Sequence, residues 1–489
     1  MKKDLIISTT KKQNLLILST CFLMTLIYFY LIEINILIFK DESGMFLSFA
    51  YNDRDFKDFA YNFLQHSYNG NYTPIGFLLE LVQTKFLQTN EPGWILRQAF
   101  VTTLLWTSIS ILLKEMIVGL TEKSYFKTMI CVFISGVFIF RPLGIEFMTF
   151  PFLILQTLCI CLALLALTRL IRFARFGHTN DVKFALILGY LTMHFFGVGL
   201  AFSMATILSV MVLMSAQNKL RSLNRKSFYL ISSLTVIHGI LMMRINHDEA
   251  PRIVGFIGFL ARVGYLFLMS IYFGIRSFWG YDTAWPSDND VYAISIFGWA
   301  TIFSIFYIYL HWYKRVKSNN LGFESFIVGT NLLFVSLLYI SMVAYRTLNL
   351  SETTGINAYL VGGRYIIFPS LFIFLFTFLC VTRLRVTTKE YVFFSTGFLL
   401  ISIISNFFFV RNVLPHVWPW MKVNHFAVWA QYVKESKELL DSGKDLKDFR
   451  PTSQNSNLDL TLRSHQNLLV YSIHEFESRN HRNLLPKLE

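Results

Sequence analysis

The stretch FLILQTLCICLALLALT (Phe152–Thr168), followed at once by Arg169-Leu170-Ile171-Arg172 and then Arg175, decides the fold class. A helix needs roughly 17–25 apolar residues to cross about 30 Å of hydrocarbon. This run has that length and no charge, and it ends on a cluster of arginines. Cationic residues gather on the cytoplasmic flank of a span, so the segment reads as a helix that leaves the membrane on the cytoplasmic side.

The same pattern repeats along the chain. Apolar runs occupy Asn14–Phe39, Gln98–Leu113, Phe126–Phe140, Phe184–Phe195, Leu200–Ala216, Phe228–Met243, Tyr292–Trp312, Phe326–Ala344, Tyr365–Val381 and Tyr391–Val410. Cationic joints fall at Lys114 to Lys127, Lys219 to Lys226, Lys314-Arg315-Val316-Lys317 and Arg383-Leu384-Arg385. The basic N-terminus (Lys2, Lys3, Lys11, Lys12) resembles the start of a signal peptide. The run behind it is too long for one and ends in Lys40-Asp41-Glu42, so it reads as an uncleaved first span with its N-terminus inside. Arg252 to Arg276 is long enough to span but carries Arg262 at its middle. If it crossed, Lys314-Arg315-Val316-Lys317 would face outward, so it is expected to be a re-entrant or interfacial helix on the outer side. The result is an all-α polytopic membrane protein of about eleven spans, N-terminus in and C-terminus out. Residues 1–410 form the membrane domain, with a long first outer loop over 40–97. Residues 411–489 form a small outer domain with helical and strand-like pieces, read as α/β.

Composition sets limits on function. Of 489 residues, 54% are hydrophobic and 15% charged, against about 25% charged in a soluble domain. That excludes a soluble enzyme, a disordered chain and a secreted disulfide-stapled domain. The net charge of +14 reads as cytoplasmic loop charge, not as a nucleic-acid surface. The five cysteines lie in apolar runs, and Cys159 and Cys161 point to different sides of one helix, so neither a disulfide nor a metal site is expected. Walker, dinucleotide-binding, zinc and Gly-x-Ser-x-Gly patterns do not occur.

The candidate chemistry lies on the outer side. Asp41 and Glu42 follow the first span directly. Carboxylates at a hydrocarbon edge are partly desolvated, which makes them competent bases, although a charged span flank has the same appearance. Phe46, Phe49, Phe56, Phe59 and Phe63, interleaved with charges, fit a surface helix beside this pair. His66 and Tyr72 fall in a turn-rich polar stretch, His66 to Pro74, where a second acid or base and substrate contacts would find room. Arg141, Arg244, Arg252, Arg262, Arg276, Arg346 and Arg364 run against the positive-inside trend. A phosphate ligand at the outer surface accounts for them, since Arg presents a planar fork to phosphate oxygens. Snorkelling to head groups accounts for a share as well. Trp279 and Asp282 sit in an outer loop where aromatic rings stack on sugar faces or form an interfacial belt.

Two short motifs carry a family resemblance. Phe39-Lys40-Asp41-Glu42-Ser43-Gly44-Met45-Phe46-Leu47 resembles the Phe-Trp-Ala-Glu-Asp-Gly-x-x-Phe-Leu signature of bacterial GT-C-type glycosyltransferases. Gly363-Arg364-Tyr365-Ile366-Ile367-Phe368-Pro369 is similar to their Arg-Tyr-Phe-x-x-Pro pattern. Length, outer tail and architecture resemble the serotype-converting (Gtr) O-antigen glucosyltransferases. The acidic order here is Asp-Glu instead of Glu-Asp, and a Ser precedes the Gly, which leaves open which carboxylate is catalytic. The resemblance implies a bacterial inner-membrane enzyme working on the periplasmic face. Its donor would be a polyprenyl-phosphate sugar, its acceptor a lipid-linked O-antigen saccharide, and it would have no nucleic-acid partner. Asp41 or Glu42 would be the base, and Arg364 with Arg346, Arg276 or Arg141 would hold the leaving phosphate. His66, Tyr72, Tyr365, Trp279 and Asp282 would contact substrate. Some relatives use a divalent ion (Mg or Mn), for which this sequence shows no site. The rival classes are a lipid-linked-sugar flippase and an O-antigen polymerase or ligase.

Overall fold

The computed structural model describes residues 2–32, 91–117, 125–141, 153–216, 225–245, 256–278, 291–319, 322–347 and 363–381, with scattered positions between and beyond them. The side chains of Arg346, Arg364 and Tyr365 lie outside that description. So do Asp41, Glu42, His66, Tyr72, Trp279 and Asp282, nearly all of the first loop and tail, and most of Tyr391–Val410.

The described chain is all-helical. In order the helices are α1 Lys2–Ile32, α2 Glu91–Ile117, α3 Tyr125–Ile139, α4 Leu153–Phe176, α5 Thr179–Thr192, α6 Gly199–Ala216, α7 Arg225–Ile245, α8 Phe256–Arg276, α9 Val291–Asn319, α10 Phe323–Arg346 and α11 Gly363–Val381. Seven of them (α1, α2, α4, α6, α8, α9 and α10) are long and apolar enough to cross a membrane, and α3, α7 and α11 contain shorter apolar helices. Helices predominate because a bilayer offers backbone groups no water to bond, so each segment has to satisfy its own N–H and C=O groups.

One end of the bundle is held by charge. Arg175 on α4 donates from Nε to Glu324 Oε1 on α10 at 2.8 Å, with a second contact from Nη2 to Oε2. It also reaches α2, through Nη2 to the Glu115 carbonyl at 2.7 Å and Nη1 to Glu115 Oε2 at 3.4 Å. Beside it Lys114 donates to Asn14 of α1 at 2.6 Å, and Ser215 of α6 meets Tyr313 of α9 at 3.1 Å. These contacts define the Lys114 end. Here α4 stops at Gly177, whose φ of 71° suits glycine. Its N–H bonds Phe173 O at 2.7 Å and closes the last turn. His178 then caps α5, so α4 and α5 form an antiparallel pair joined by two residues, pinned by Arg169 to Asp181 at 3.0 Å.

Small residues allow close packing elsewhere, as expected where lipid removes the hydrophobic drive between helices. A Cβ on Gly298 of α9 would stand 1.9 Å from Gly264 O of α8, so the two backbones touch. Trp299 Nε1 then donates to Leu260 O across the same contact at 2.8 Å. Trp106 Nε1 of α2 donates to Val132 O of α3 at 2.9 Å, and Ser110 meets Ser135 at 2.6 Å one turn on.

One expectation changes. The apolar run Phe184–Phe195 is not a full span. Its helix, α5, ends at Thr192 and the chain turns through Met193 to Val198 into α6. A helix of 14 residues is about 21 Å long, short of a bilayer's hydrocarbon. Hydropathy misses this break because the turn residues are themselves apolar; Met193, Phe196 and Val198 are buried. The helix around Arg262 is α8, which packs one side on the bundle and leaves Phe256, Ile257, Tyr272 and Ile275 exposed. In α8, Val263, Tyr265, Leu266, Phe267, Met269 and Phe273 are buried. Its neighbours are Ser295 and Trp299 near the start of α9, and Pro369 and Ile373 of α11.

The Arg175 clamp yields the first prediction. Removing one partner of a buried ion pair costs about 3–5 kcal/mol. Arg175 and Glu115 are 13% and 4% exposed in their side chains. Arg175→Met is expected to lower the unfolding midpoint in detergent by that order. Glu324→Gln is expected to cost less, since Glu324 is 39% exposed and partly screened by solvent. Equal midpoints for Arg175→Met and wild type would show that the clamp carries no stability.

Candidate functional site at the Arg141 end

Helix direction sets what gathers at the opposite end. α1 reaches it through Tyr28, whose ring packs 4.5 Å from Phe140. Trp106 of α2 meets the same Phe140 ring edge-on at 5.0 Å. Arg141 follows directly and is 1% exposed. Its guanidinium lies 3.9 Å from the Phe138 ring centre and 5.8 Å from Phe278, and its Nη1 donates to Phe138 O at 2.9 Å. Aromatic faces attract a cation and keep it from lipid, so the charge is retained inside the bundle rather than snorkelled away.

Of the four arginines expected to hold a phosphate, the side chains of two, Arg141 and Arg276, are described. Arg276 ends α8 two residues before Phe278 and is half-buried, with Nη1 donating to Tyr272 OH and the guanidinium 5.5 Å from that ring. The other two reach the same end by their helix termini. α10 starts beside Arg175 with Glu324 and ends at Arg346. α11 starts at Gly363-Arg364, and its Phe368 packs on Tyr339 of α10 at 5.1 Å. The carboxylates Asp41 and Glu42, and His66, Tyr72, Trp279 and Asp282, fall on residues outside the description.

Sequence reasoning missed a polar ridge on α2. Trp94, Gln98, Thr102, Trp106 and Ser110 recur every four residues and so share one face, and all are at most 2% exposed. The lower part of this face meets α3. The upper part continues past the end of α3, where Gln98 Nε2 donates to Met148 O at 3.4 Å. The Trp94 indole N–H and the Thr102 hydroxyl find no hydrogen-bond partner, and the Gln156 amide near the start of α4 is in the same position. Buried polar groups are nearly always bonded, so each of these marks a place for a water or a ligand atom. Arg97 stacks 4.6 Å over Trp94 at the edge of the ridge. The available signal was the four-residue spacing of Trp, Gln and Thr inside an apolar helix.

Chemically, this end offers positive charge without nearby carboxylates among the described residues, together with neutral donors and an indole. That combination suits an anionic head group bearing hydroxyls. Among the described residues no group of three or more His, Cys, Asp or Glu is arranged to hold a metal ion. All five cysteines are free, four of them buried.

Thr102→Val tests whether the ridge is bare. The substitution keeps the shape and removes an unpartnered hydroxyl, so stability is expected to stay level or rise by about 1 kcal/mol. A loss of that size in a detergent unfolding titration would mean that the hydroxyl is already satisfied.

Comparison with protein-family models, curated proteins and solved structures finds no match for this chain.

Proposed function

We propose that the protein is an inner-membrane glycosyltransferase of the GT-C type. It moves a sugar, glucose in our reading, from undecaprenyl phosphate to a lipid-linked O-antigen saccharide on the periplasmic face. The observation that carries this is Arg141, a cation buried between Phe138 and Phe278 at the end of the bundle that Arg276 also occupies. The planar fork of a guanidinium suits the oxygens of a phosphate, and aromatic faces hold this one in place at the bundle end.

The reaction balances simply. Asp41 or Glu42 takes the proton of an acceptor hydroxyl as its oxygen bonds the anomeric carbon. The bond from that carbon to the phosphate oxygen breaks, and the leaving lipid phosphate keeps the electron pair. Configuration inverts in this single displacement. Arg141, Arg276, Arg346 and Arg364 stabilise the charge that develops on the phosphate. The neutral ridge of Trp94, Gln98 and Thr102 suits the hydroxyls of a sugar. Tyr28 supports the assignment of the base, because it brings the last turns of α1 to Phe140, and Asp41-Glu42 follow α1 in the chain.

A flippase would use ionisable groups along a path through the spans. Among the described residues the buried charged side chains are Lys114, Glu115, Arg141 and Asp181. Lys114, Glu115 and Asp181 belong to the Lys114 end, where Asn14, Arg175 and Arg169 hold them. That distribution favours chemistry at one surface over passage through the middle.

The test uses purified full-length protein, undecaprenyl-phosphate glucose and O-antigen lipid. Asp41→Asn or Glu42→Gln is expected to slow transfer about 10²–10⁴-fold, the usual loss of a general base. Arg141→Lys is expected to slow it about 10²-fold while retaining the fold. Wild-type rates in both carboxylate variants would remove the proposed base. Absence of any transfer by wild type with this donor would remove the donor class. Reactivity of a tag at Glu489 from the periplasm checks the orientation, and a cytoplasmic tag would overturn the odd number of spans.

A further inference from the structure

The break between α5 and α6 gathers three ring side chains that the glycosyl-transfer reading does not use. Tyr190 is near the end of α5, His194 lies in the turn, and His238 comes from α7. The His194 and His238 imidazole centres are 4.6 Å apart, and Tyr190 stands 5.0 Å from the first and 6.1 Å from the second.

Each ring is carried by well-fixed backbone. The Thr192 hydroxyl is 2.6 Å from Gly189 O and 2.8 Å from Gly199 O, across the turn. A Cβ on Gly199 would sit 2.1 Å from Thr192 O, so the turn closes too tightly for any other residue there. Ser203 meets Thr235 at 3.1 Å, and Gly239 packs under Leu200, which fixes α7 against α6 at the height of His238. His238 is 6% exposed, whereas Tyr190 and His194 are half-buried and leave a way in.

We propose that Tyr190, His194 and His238 form a binding site for one divalent transition-metal ion of the zinc–copper class. Imidazole and phenolate oxygen are ligands such ions accept. With a metal–nitrogen bond of about 2.0–2.1 Å, each imidazole centre lies about 3.2 Å from the ion, and centres 4.6 Å apart then subtend roughly 90° at it. The phenol oxygen lies further from its ring centre than an imidazole nitrogen does, which suits the wider gaps to Tyr190. A metal here ties α7 to the α5–α6 hairpin, which in this structure is joined to it by side-chain packing and the Ser203–Thr235 bond.

The experiment titrates chelator-treated full-length protein in detergent with Cu²⁺ and, separately, with Zn²⁺. Wild type is expected to bind one Cu²⁺ whose electron spin resonance shows coupling to two nitrogens, and Zn²⁺ is expected to raise the unfolding midpoint. His194→Gln with His238→Gln is expected to abolish both, and Tyr190→Phe to remove the phenolate-to-copper absorption. His178→Gln, at the far end of α5, is expected to change nothing. Identical spectra and stoichiometry in wild type and the double variant would assign the copper to surface histidines and overturn the site. If the double variant fails to fold, a wild-type spectrum with fewer than two coupled nitrogens overturns it equally. The outcome is independent of sugar transfer, because no donor lipid is present.

Discussion

Arg175 is the side chain on which the arrangement of the described bundle most depends. A guanidinium at the membrane edge has to be met by acceptors, and Glu324, Glu115 and the Glu115 carbonyl meet it from two other helices. One residue on α4 thereby sets the height of α2 and α10 relative to each other. Once these three are aligned at the Lys114 end, their lengths decide what stands at the other. Trp94, Gln98 and Thr102 rise on α2, and Arg346 closes α10.

The two ends handle positive charge by different means. At the Lys114 end, Arg175 and Arg169 are met by carboxylates and Lys114 by an amide oxygen. At the opposite end, Arg141 rests on aromatic faces and a backbone carbonyl. Ring faces stabilise a cation without adding a counter-charge of their own.

Much of the fold was legible in the sequence, because a long apolar run and its cationic flank act through local physics. The runs at Gln98–Leu113 and Phe326–Ala344 fall within helices, and α3 and α4 cover all but one residue of Phe126–Phe140 and of Phe152–Thr168. The α5–α6 turn was hidden because its residues are as apolar as a span, so hydropathy averages across it. The helix of Arg262 packs on Gly298 and Pro369 near the starts of α9 and α11, a tertiary placement that no single run encodes. The site was half legible. Arg141 and Arg276 stood out by sign against the positive-inside trend, but the burial of Arg141 depends on Phe278, which is remote in sequence. The polar ridge of α2 escaped notice because Trp, Gln and Thr carry no charge to attract attention.

The contact between Gly264 and Gly298 limits where lipid can go. α9 exposes Ile296, Phe297, Phe303, Tyr307 and Ile308 along its outer side, as a wall facing acyl chains does. Behind that wall its backbone touches α8 with no room for even a methyl group. At this height no acyl chain passes between α8 and α9. Two hydrogen atoms in place of side chains make α8 and α9 a closed wall there.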